Sequence, residues 1–491
     1  MELDINKIIQ QAFTAHKEGK LQEAEYLYQE VLKTQPNNVN VCNNLGTIYK
    51  SSGKLDEAEI CYKKAIVFQP DYLDSYVNLG NLYQTLGKLE QAETSYKKLI
   101  ELKYDYAEGH YGLGNTQQKL NKLEEAEISY KKAIEIKPDF FKAYNNLGLV
   151  LVELNKLTEA EIYYKNVAKF KPDYIDVHYN FAVLLFKLNK KDAANASLDK
   201  SLKLNPNWVP SLELKSQILF EKGNFELSLK NSDLCDTNFA KSLSLSSLYA
   251  LGRIEEIYSR IDAQPETDNN NLFIAAFSSF ITHKEKRDTA HKFCKNPLEF
   301  IYYSNLSSHL ESSNSFINEV IKELDNVKIR WEPPENTTRK GFHTGNKINL
   351  FKKPLEKMSN LESIIIDELY TYKKKFKNEN CTFIKSWPSK CFLSGWHVVL
   401  KKQGYQTAHI HPGGWLSGVI YLKVVPGLKK NEGAIEFSLN GNHYFDANSP
   451  KIIYQPKVGD IVLFPSSLHH RTIPFSTDNN RMIVSFDLVP I

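Results

Sequence analysis

Cysteine is sparse and unorganised in this chain: Cys42, Cys61, Cys235, Cys294, Cys381 and Cys391 stand apart, with no CxxC pair and no spacing that suits a zinc ribbon. Such usage offers no disulfide framework and reads as reduced thiols in a cytoplasmic protein. Long apolar runs are also missing, none approaching the roughly 18 residues that mark a membrane helix. The opening MELDINKIIQQAF has two acids where a secretory leader has basic and then apolar residues. Neither export nor membrane insertion is expected. A block of one charge is absent too: 62 Lys+Arg against 58 Asp+Glu leave a net +4, and lysines alternate with glutamates through the first half. A dedicated nucleic-acid surface needs clustered basic residues, so nucleic acid is not an expected partner.

The 491 residues, 42% hydrophobic and 24% charged, have the composition of a folded soluble chain. One hydrophobic core stops growing at roughly 250–300 residues, so two or more domains are expected.

The first half repeats itself with a period of 34 residues. A small residue recurs at Ala24, Ala58, Ala92, Ala126, Ala160 and Ala194. An aromatic follows four later at Tyr28, Tyr62, Tyr96, Tyr130 and Tyr164, and most units close at Pro36, Pro70, Pro138, Pro172 or Pro206. Between the two helices of each unit stands Gly19, Gly53, Gly87, Asn121, Asn155, Asn189 or Gly223. Gly and Asn enter the left-handed backbone region most cheaply, which a helix running into a tight turn demands. Alanine permits close helix approach, tyrosine fills the next gap, and proline stops the second helix.

This pattern resembles the tetratricopeptide-repeat (TPR) family over residues 5–242, in about seven units. The last is degenerate, with Ser228 in the alanine position and no closing proline, as suits a terminal unit. The resemblance implies a helical superhelix that binds a protein or peptide. It also implies that Asn44, Asn78, Asn146 and Asn180, a series interrupted by Gly112, hold the backbone of an extended peptide in the groove, since an amide both donates and accepts. The plainer account of these asparagines is a tolerated polar position on a helix face.

Residues 243–314 carry helical patterns without the 34-residue phase and read as a helical connector. From 315 to 491 the texture turns to short alternating apolar runs: CFLSGWHVVLK, AHIH, LSGVIYLKV, AIEFSL, KIIYQP, DIVLFP and RMIVSFDL, with one helix near LEKMSNLESIIIDELYTYKKKF. Among these lie His409-Ile410-His411 and, later, His469-His470. In a strand, residues i and i+2 project from one face, so an HxH offers two imidazoles to one metal and a facing strand supplies a third.

The runs HIHPGGWLSGVIYLKV, GAIEF, GDIVLFPSSLHH and RMIVSFDL resemble the 2-oxoglutarate–Fe(II) oxygenase family. That likeness implies a double-stranded β-helix (jelly-roll, cupin-like), and so a multidomain α + β chain. It also implies Fe(II) as cofactor, 2-oxoglutarate and O2 as cosubstrates, and a dioxygenase that hydroxylates a C–H bond. The architecture, a repeat groove in front of it, adds the expectation of a protein or peptide substrate captured by the repeats. Carried over by position, His409, His411 and His470 are the metal ligands, His470 rather than His469 because the family's pattern runs from FPS through three further residues to its histidine and then to a Pro-Phe pair. Neighbouring strand residues face opposite ways, so only one of the pair can reach the metal. Arg481 takes the place of the residue that grips the far carboxylate of 2-oxoglutarate. His411 stands where most such enzymes have an acid, and Glu436 and Asp446 are possible substitutes. Two other readings remain: a cupin-like metalloenzyme that does not use 2-oxoglutarate, and a non-catalytic TPR adaptor. His343, His397 and His443 have no assigned role, Asp460 reads as a turn residue, and Trp415, Tyr421 and Phe464 default to core packing.

Overall fold

A computed structural model describes residues 5–263, 270–333, 336–345, 348–425 and 430–491. The chain divides into two units, Met1–Leu184 and Leu185–Ile491.

The first unit is built of helix pairs: Ile5–Lys17 with Leu21–Thr34, Val39–Ser51 with Leu55–Phe68, Leu73–Thr85 with Leu89–Leu102, Ala107–Lys119 with Leu123–Ile136, and Phe141–Glu153 with Leu157–Phe170. All seven inter-helix residues singled out by the repeat, five here and two in the second unit, are left-handed, with φ between 57° and 77°. Each turn is closed by a bond from the following N–H to the carbonyl five residues back, at 2.8 to 2.9 Å, as in Lys20 to Ala15 and Lys54 to Tyr49. Tyr28, Tyr62, Tyr96, Tyr130 and Tyr164 are fully buried. A Cβ added at Gly46, Gly80, Gly114 or Gly148 would come within 2.7 to 2.8 Å of the Tyr62, Tyr96, Tyr130 or Tyr164 ring, so glycine on one helix is what admits the ring of the next.

The alternating charges also find a purpose. Lys54–Glu25, Lys88–Glu59, Lys122–Glu93 and Lys156–Glu127 pair at 2.7, 2.9, 2.6 and 2.7 Å, each joining one repeat to its predecessor. Lys63 and Lys88 together hold the Glu59 carboxyl down to about 2. Half-exposed pairs of this kind stabilise weakly and serve register more than strength.

The second unit continues with helices Lys191–Leu204, Val209–Glu221, Phe225–Ser232, Asn238–Ala250, Ile254–Asp262 and Leu272–Glu285. Its strands are β1 (Tyr302–Asn305), β2 (Arg330–Trp331), β3 (Thr338–His343), β4 (Cys391–Gln406), β5 (Leu416–Lys423), β6 (Ile435–Ser438), β7 (Lys451–Tyr454), β8 (Asp460–Pro465), β9 (His469–Thr472) and β10 (Arg481–Pro490). Seven form one antiparallel sheet in the order β1-β8-β5-β10-β4-β3-β2, and three form a second, β7-β6-β9. Their inner faces share a core in which Phe437 of β6 meets Phe464 of β8 at 4.9 Å. The outer face of the large sheet, including Met482, Val484, Phe486 and Leu488 of β10, packs with residues of helices Ser313–Leu324 and Glu356–Lys375.

Three differences from the sequence reading stand out. The AHIH run is not a strand: it makes a single antiparallel bridge, His409 to His470, because Pro412 and the following glycines turn the chain at once. The edge strand β1 comes from the segment read as connector and pairs with β8, Tyr302 opposite Leu463. The helices before residue 285 also belong to the barrel's core. Phe277 and Phe280 lie 4.9 and 4.7 Å from Tyr444, in the loop between β6 and β7. Phe220 and Phe239 meet His443 of that loop at 5.1 and 6.3 Å.

Candidate metal centre

Three imidazoles converge inside the sandwich. The His409 and His470 backbones exchange N–H···O bonds of 3.1 Å, and the His411 N–H donates to the Ser466 carbonyl at 3.0 Å. Ring centroids are 4.3 Å apart for His409 and His470, 5.0 Å for His411 and His470, and 5.1 Å for His409 and His411. One ring nitrogen of each lies within 4.8 Å of the others. Among the described residues this is the one group of three such side chains that could hold a metal ion. His469 turns the other way and meets Tyr444 edge-on at 5.8 Å.

Each ring is oriented from behind. Nδ1 of His409 is 2.7 Å from the Thr407 carbonyl, Nδ1 of His470 is 3.2 Å from the Leu468 carbonyl, and Nδ1 of His411 is 2.6 Å from Asp487 Oδ1. These oxygens accept, so each Nδ1 donates and each Nε2 is the nitrogen left to face a metal. Burial pulls His409 down to about 3 and His470 well below the ordinary histidine range. Imidazoles presenting Nε2 are the donor set a divalent transition metal takes, iron included.

The same cavity is lined by Arg481, Tyr421, Gln406 and Thr472 together with the three histidines. Arg481 is 1% exposed, and its Nε and Nη1 have no hydrogen-bond partner, nor has the Tyr421 hydroxyl. The Arg481 guanidinium lies 5.0 Å from the Tyr421 ring centroid. Burial lowers Arg481 from its usual range and pushes Tyr421 up to about 12. Tyr421, read as core, thus presents a polar tip to the cavity. Its signal was its place on β5, which pairs it with Ile483, two residues on from Arg481.

Neither alternative acid joins the histidines. Glu436 is bound by Arg471, at 2.8 and 3.1 Å, and Asp446 is paired with Lys284 at 3.3 Å. Both are held by cations outside the cluster. Asp487 was not anticipated, although it lies an even number of residues from Arg481 on β10. His343 accepts the Gly345 N–H at 2.8 Å and stacks 6.3 Å from Trp396, which itself lies 5.2 Å from His411. Trp415 donates to the Phe383 carbonyl in the outer core, and Asp460 takes bonds from Asn305, Tyr454 and Lys457 at the start of β8.

In the first unit the asparagine series is half-buried, and its amides engage neighbouring repeats: Asn78 donates to Asn43 at 3.0 Å, Asn146 to Asn115 at 2.9 Å, and Asn180 to Asn145 at 3.0 Å. Asn44 lies beside the Tyr28 hydroxyl. Where Gly112 interrupts the series, a cleft of about 910 Å³ opens, lined by Tyr111, Asn115, Lys137, Phe140 and Phe141.

Comparison with known families finds two kinds of match. Residues 394–487 match the family described as "Putative 2OG-Fe(II) oxygenase". Tetratricopeptide-repeat families match residues 27–60, 46–87, 73–106, 107–140, 129–162 and 175–207. No curated protein is matched. Among solved structures, a tetratricopeptide repeat protein from Parabacteroides merdae is 21% identical with a TM-score of 0.41, covering 50% of this chain and 98% of its own. PilF of Pseudomonas aeruginosa is 20% identical, TM-score 0.37, covering 40% and 88%. YrrB, described as a TPR protein with an unusual peptide-binding site, is 23% identical, TM-score 0.33, covering 40% and 97%. In the described residues no helix is long and apolar enough to cross a membrane. The chain therefore carries tetratricopeptide repeats in its first half and, over residues 394–487, a match to the family described as "Putative 2OG-Fe(II) oxygenase".

Proposed function

We propose that the C-terminal domain is an Fe(II)- and 2-oxoglutarate-dependent dioxygenase that hydroxylates a side chain of a protein or peptide captured by the repeats. The observation that carries this reading is Arg481. A buried guanidinium with unfilled donors, in the cavity that three imidazoles share, requires an anionic partner. Its planar fork suits a carboxylate, and the Tyr421 hydroxyl adds a donor beside it. A dicarboxylate reaching from Arg481 toward the histidines satisfies both ends.

His409, His411 and His470 would hold iron through Nε2. The chemistry that bound iron and 2-oxoglutarate supply is the coupling of oxidative decarboxylation, to succinate and CO2, with insertion of oxygen into a C–H bond. Phe464, Ile435, Val419 and Ile483 wall the cavity with apolar surface that keeps bulk water out. The aromatic and lysine-lined cleft at Gly112 supports the peptide part of the reading.

The test is anaerobic titration with Fe(II) and 2-oxoglutarate, following the weak visible charge-transfer band of the chelate and then succinate on admitting oxygen. The band is expected in the native protein, and is expected to be lost in His470→Ala and weakened at least tenfold in apparent affinity in Arg481→Ala. Iron binding without band or succinate would instead support the cupin-like metalloenzyme, which the all-histidine donor set favours. Absence of both would leave a non-catalytic adaptor.

A further inference from the structure

Most 2-oxoglutarate oxygenases place a carboxylate where this chain has His411, and the negative charge lost by that exchange reappears one residue behind the ring. We propose that Asp487 is a positioning residue for the metal centre: it fixes the His411 tautomer and orientation and returns a negative charge to the site through the imidazole. The proposal rests on the metal-site reading above.

Four observations carry it. Asp487 Oδ1 is 2.6 Å from His411 Nδ1, the shortest of the three contacts that orient the cluster from behind. The same oxygen accepts the Ser417 hydroxyl at 2.7 Å, and Ser417 in turn meets Ser466 Oγ at 2.8 Å. Ser466 also binds the His411 N–H through its carbonyl, so one network holds both the backbone and the ring of His411. A Cβ at Gly414 would lie 2.7 Å from Ser466 Oγ and 3.0 Å from Asp487 Cγ, so this glycine leaves the room the network needs. His409 and His470, by contrast, lean on neutral carbonyls. An anionic acceptor behind a ligating imidazole raises its basicity and commonly accounts for 10- to 100-fold in metal affinity.

The geometry separates this role from simple packing. Asp487→Asn retains an acceptor for Nδ1–H but removes the charge, whereas Asp487→Ala removes both. In a His411→Asp variant, Asp487 becomes a like charge against a carboxylate, and Asp487→Asn should then help rather than harm.

Full-length protein labelled with ¹⁵N-histidine would be examined metal-free for the His411 tautomer, assigned with His411→Asn. Co(II) titration, followed by its visible bands, would give metal affinity. The expected results are an Nδ1-protonated His411 in the native protein and in Asp487→Asn, with a mixture in Asp487→Ala. Co(II) affinity should fall about 10- to 100-fold in both Asp487 variants. His411→Asp/Asp487→Asn should bind more tightly than His411→Asp alone. Native and Asp487 variants binding Co(II) equally, with an unchanged tautomer, would overturn this inference and leave the metal site standing. A native protein with the tautomer fixed but no Co(II) binding would overturn the metal reading and this inference with it.

Discussion

His397 follows Trp396 on β4 and therefore points away from the cavity that Trp396 lines. It is 2% exposed, and neither ring nitrogen has a hydrogen-bond partner. Burial pulls it down to about 4, against the raising field of Asp325. The unfolded chain, near 6.5, takes up a proton before the folded one does. Stability is therefore full above about pH 6.5 and is lost as pH falls toward 4; the 6.5 − 4 difference of about 2.5 units is worth on the order of 3 kcal/mol. His397→Leu should be neutral or stabilising by about 1 kcal/mol at pH 7, since it removes two orphaned polar atoms, and should lose less stability by pH 4. Urea unfolding followed by tryptophan fluorescence checks this, because four of the five tryptophans (Trp331, Trp387, Trp396, Trp415) lie in the β-domain. An acid response equal to that of the native protein would assign the sensitivity elsewhere. The histidines that cluster at the cavity were named in the sequence from the HxH spacing and, for His470, from the family resemblance; the oxygen behind each ring was not, because Thr407, Leu468 and Asp487 act through positions that only the folded backbone defines.

The repeat turns show what a local rule can reach. Every Gly or Asn marked in the sequence is left-handed, since the demand for positive φ arises within four residues and depends on no distant partner. Asn155, at φ 59°, tests the rule. Asn155→Ala should cost the repeats about 1 kcal/mol, because a Cβ without a compensating amide is disfavoured there, while Asn155→Gly should be neutral or slightly stabilising. Thermal melting by far-ultraviolet circular dichroism would rank the three, and equal melting of the Ala and Gly variants would exclude backbone strain as the reason for Asn. The β-domain followed such rules only in part. Long alternating runs such as β5 and β10 were readable, whereas the four-residue strands β1 and β9 owe their conformation to partners far along the chain, Tyr302 to Leu463 and Thr472 to Ile435. On β10 the alternation Arg481, Ile483, Ser485, Asp487 was present in the sequence, yet its significance required knowing that Ser417 and Tyr421 lie alongside.

The first structural unit ends before the repeat phase does, and this bears on any attempt to separate binding from chemistry. Resemblance to the repeats extends to residue 242, yet the compact unit containing the barrel begins at Leu185. Phe220 and Phe239 pack on His443, the Tyr249 hydroxyl donates to the Phe445 carbonyl at 3.5 Å, and Lys284 pairs with Asp446, so helices from 209 to 285 grip the loop between β6 and β7. Tyr444 of that loop then contacts His469, the neighbour of His470 in β9. A chain beginning at residue 243 loses the buried Leu229 and the half-buried Phe220 and Phe239 from this packing, and a buried leucine removed costs about 2 to 5 kcal/mol. It should melt well below the full chain or fail to fold. A chain beginning at Ile175, the start of a helix, keeps the whole second unit and should retain the tryptophan melting transition and Co(II) binding within about twofold of the full chain, because stacked repeats depend chiefly on their nearest neighbours. If the repeats of the first unit deliver a peptide, this shorter chain should still convert 2-oxoglutarate to succinate slowly without substrate, while turnover of a protein substrate falls at least tenfold. Equal protein turnover by the two chains would remove the first unit from substrate capture, and equal melting of the 243–491 piece would show that the helices before it contribute nothing to the barrel.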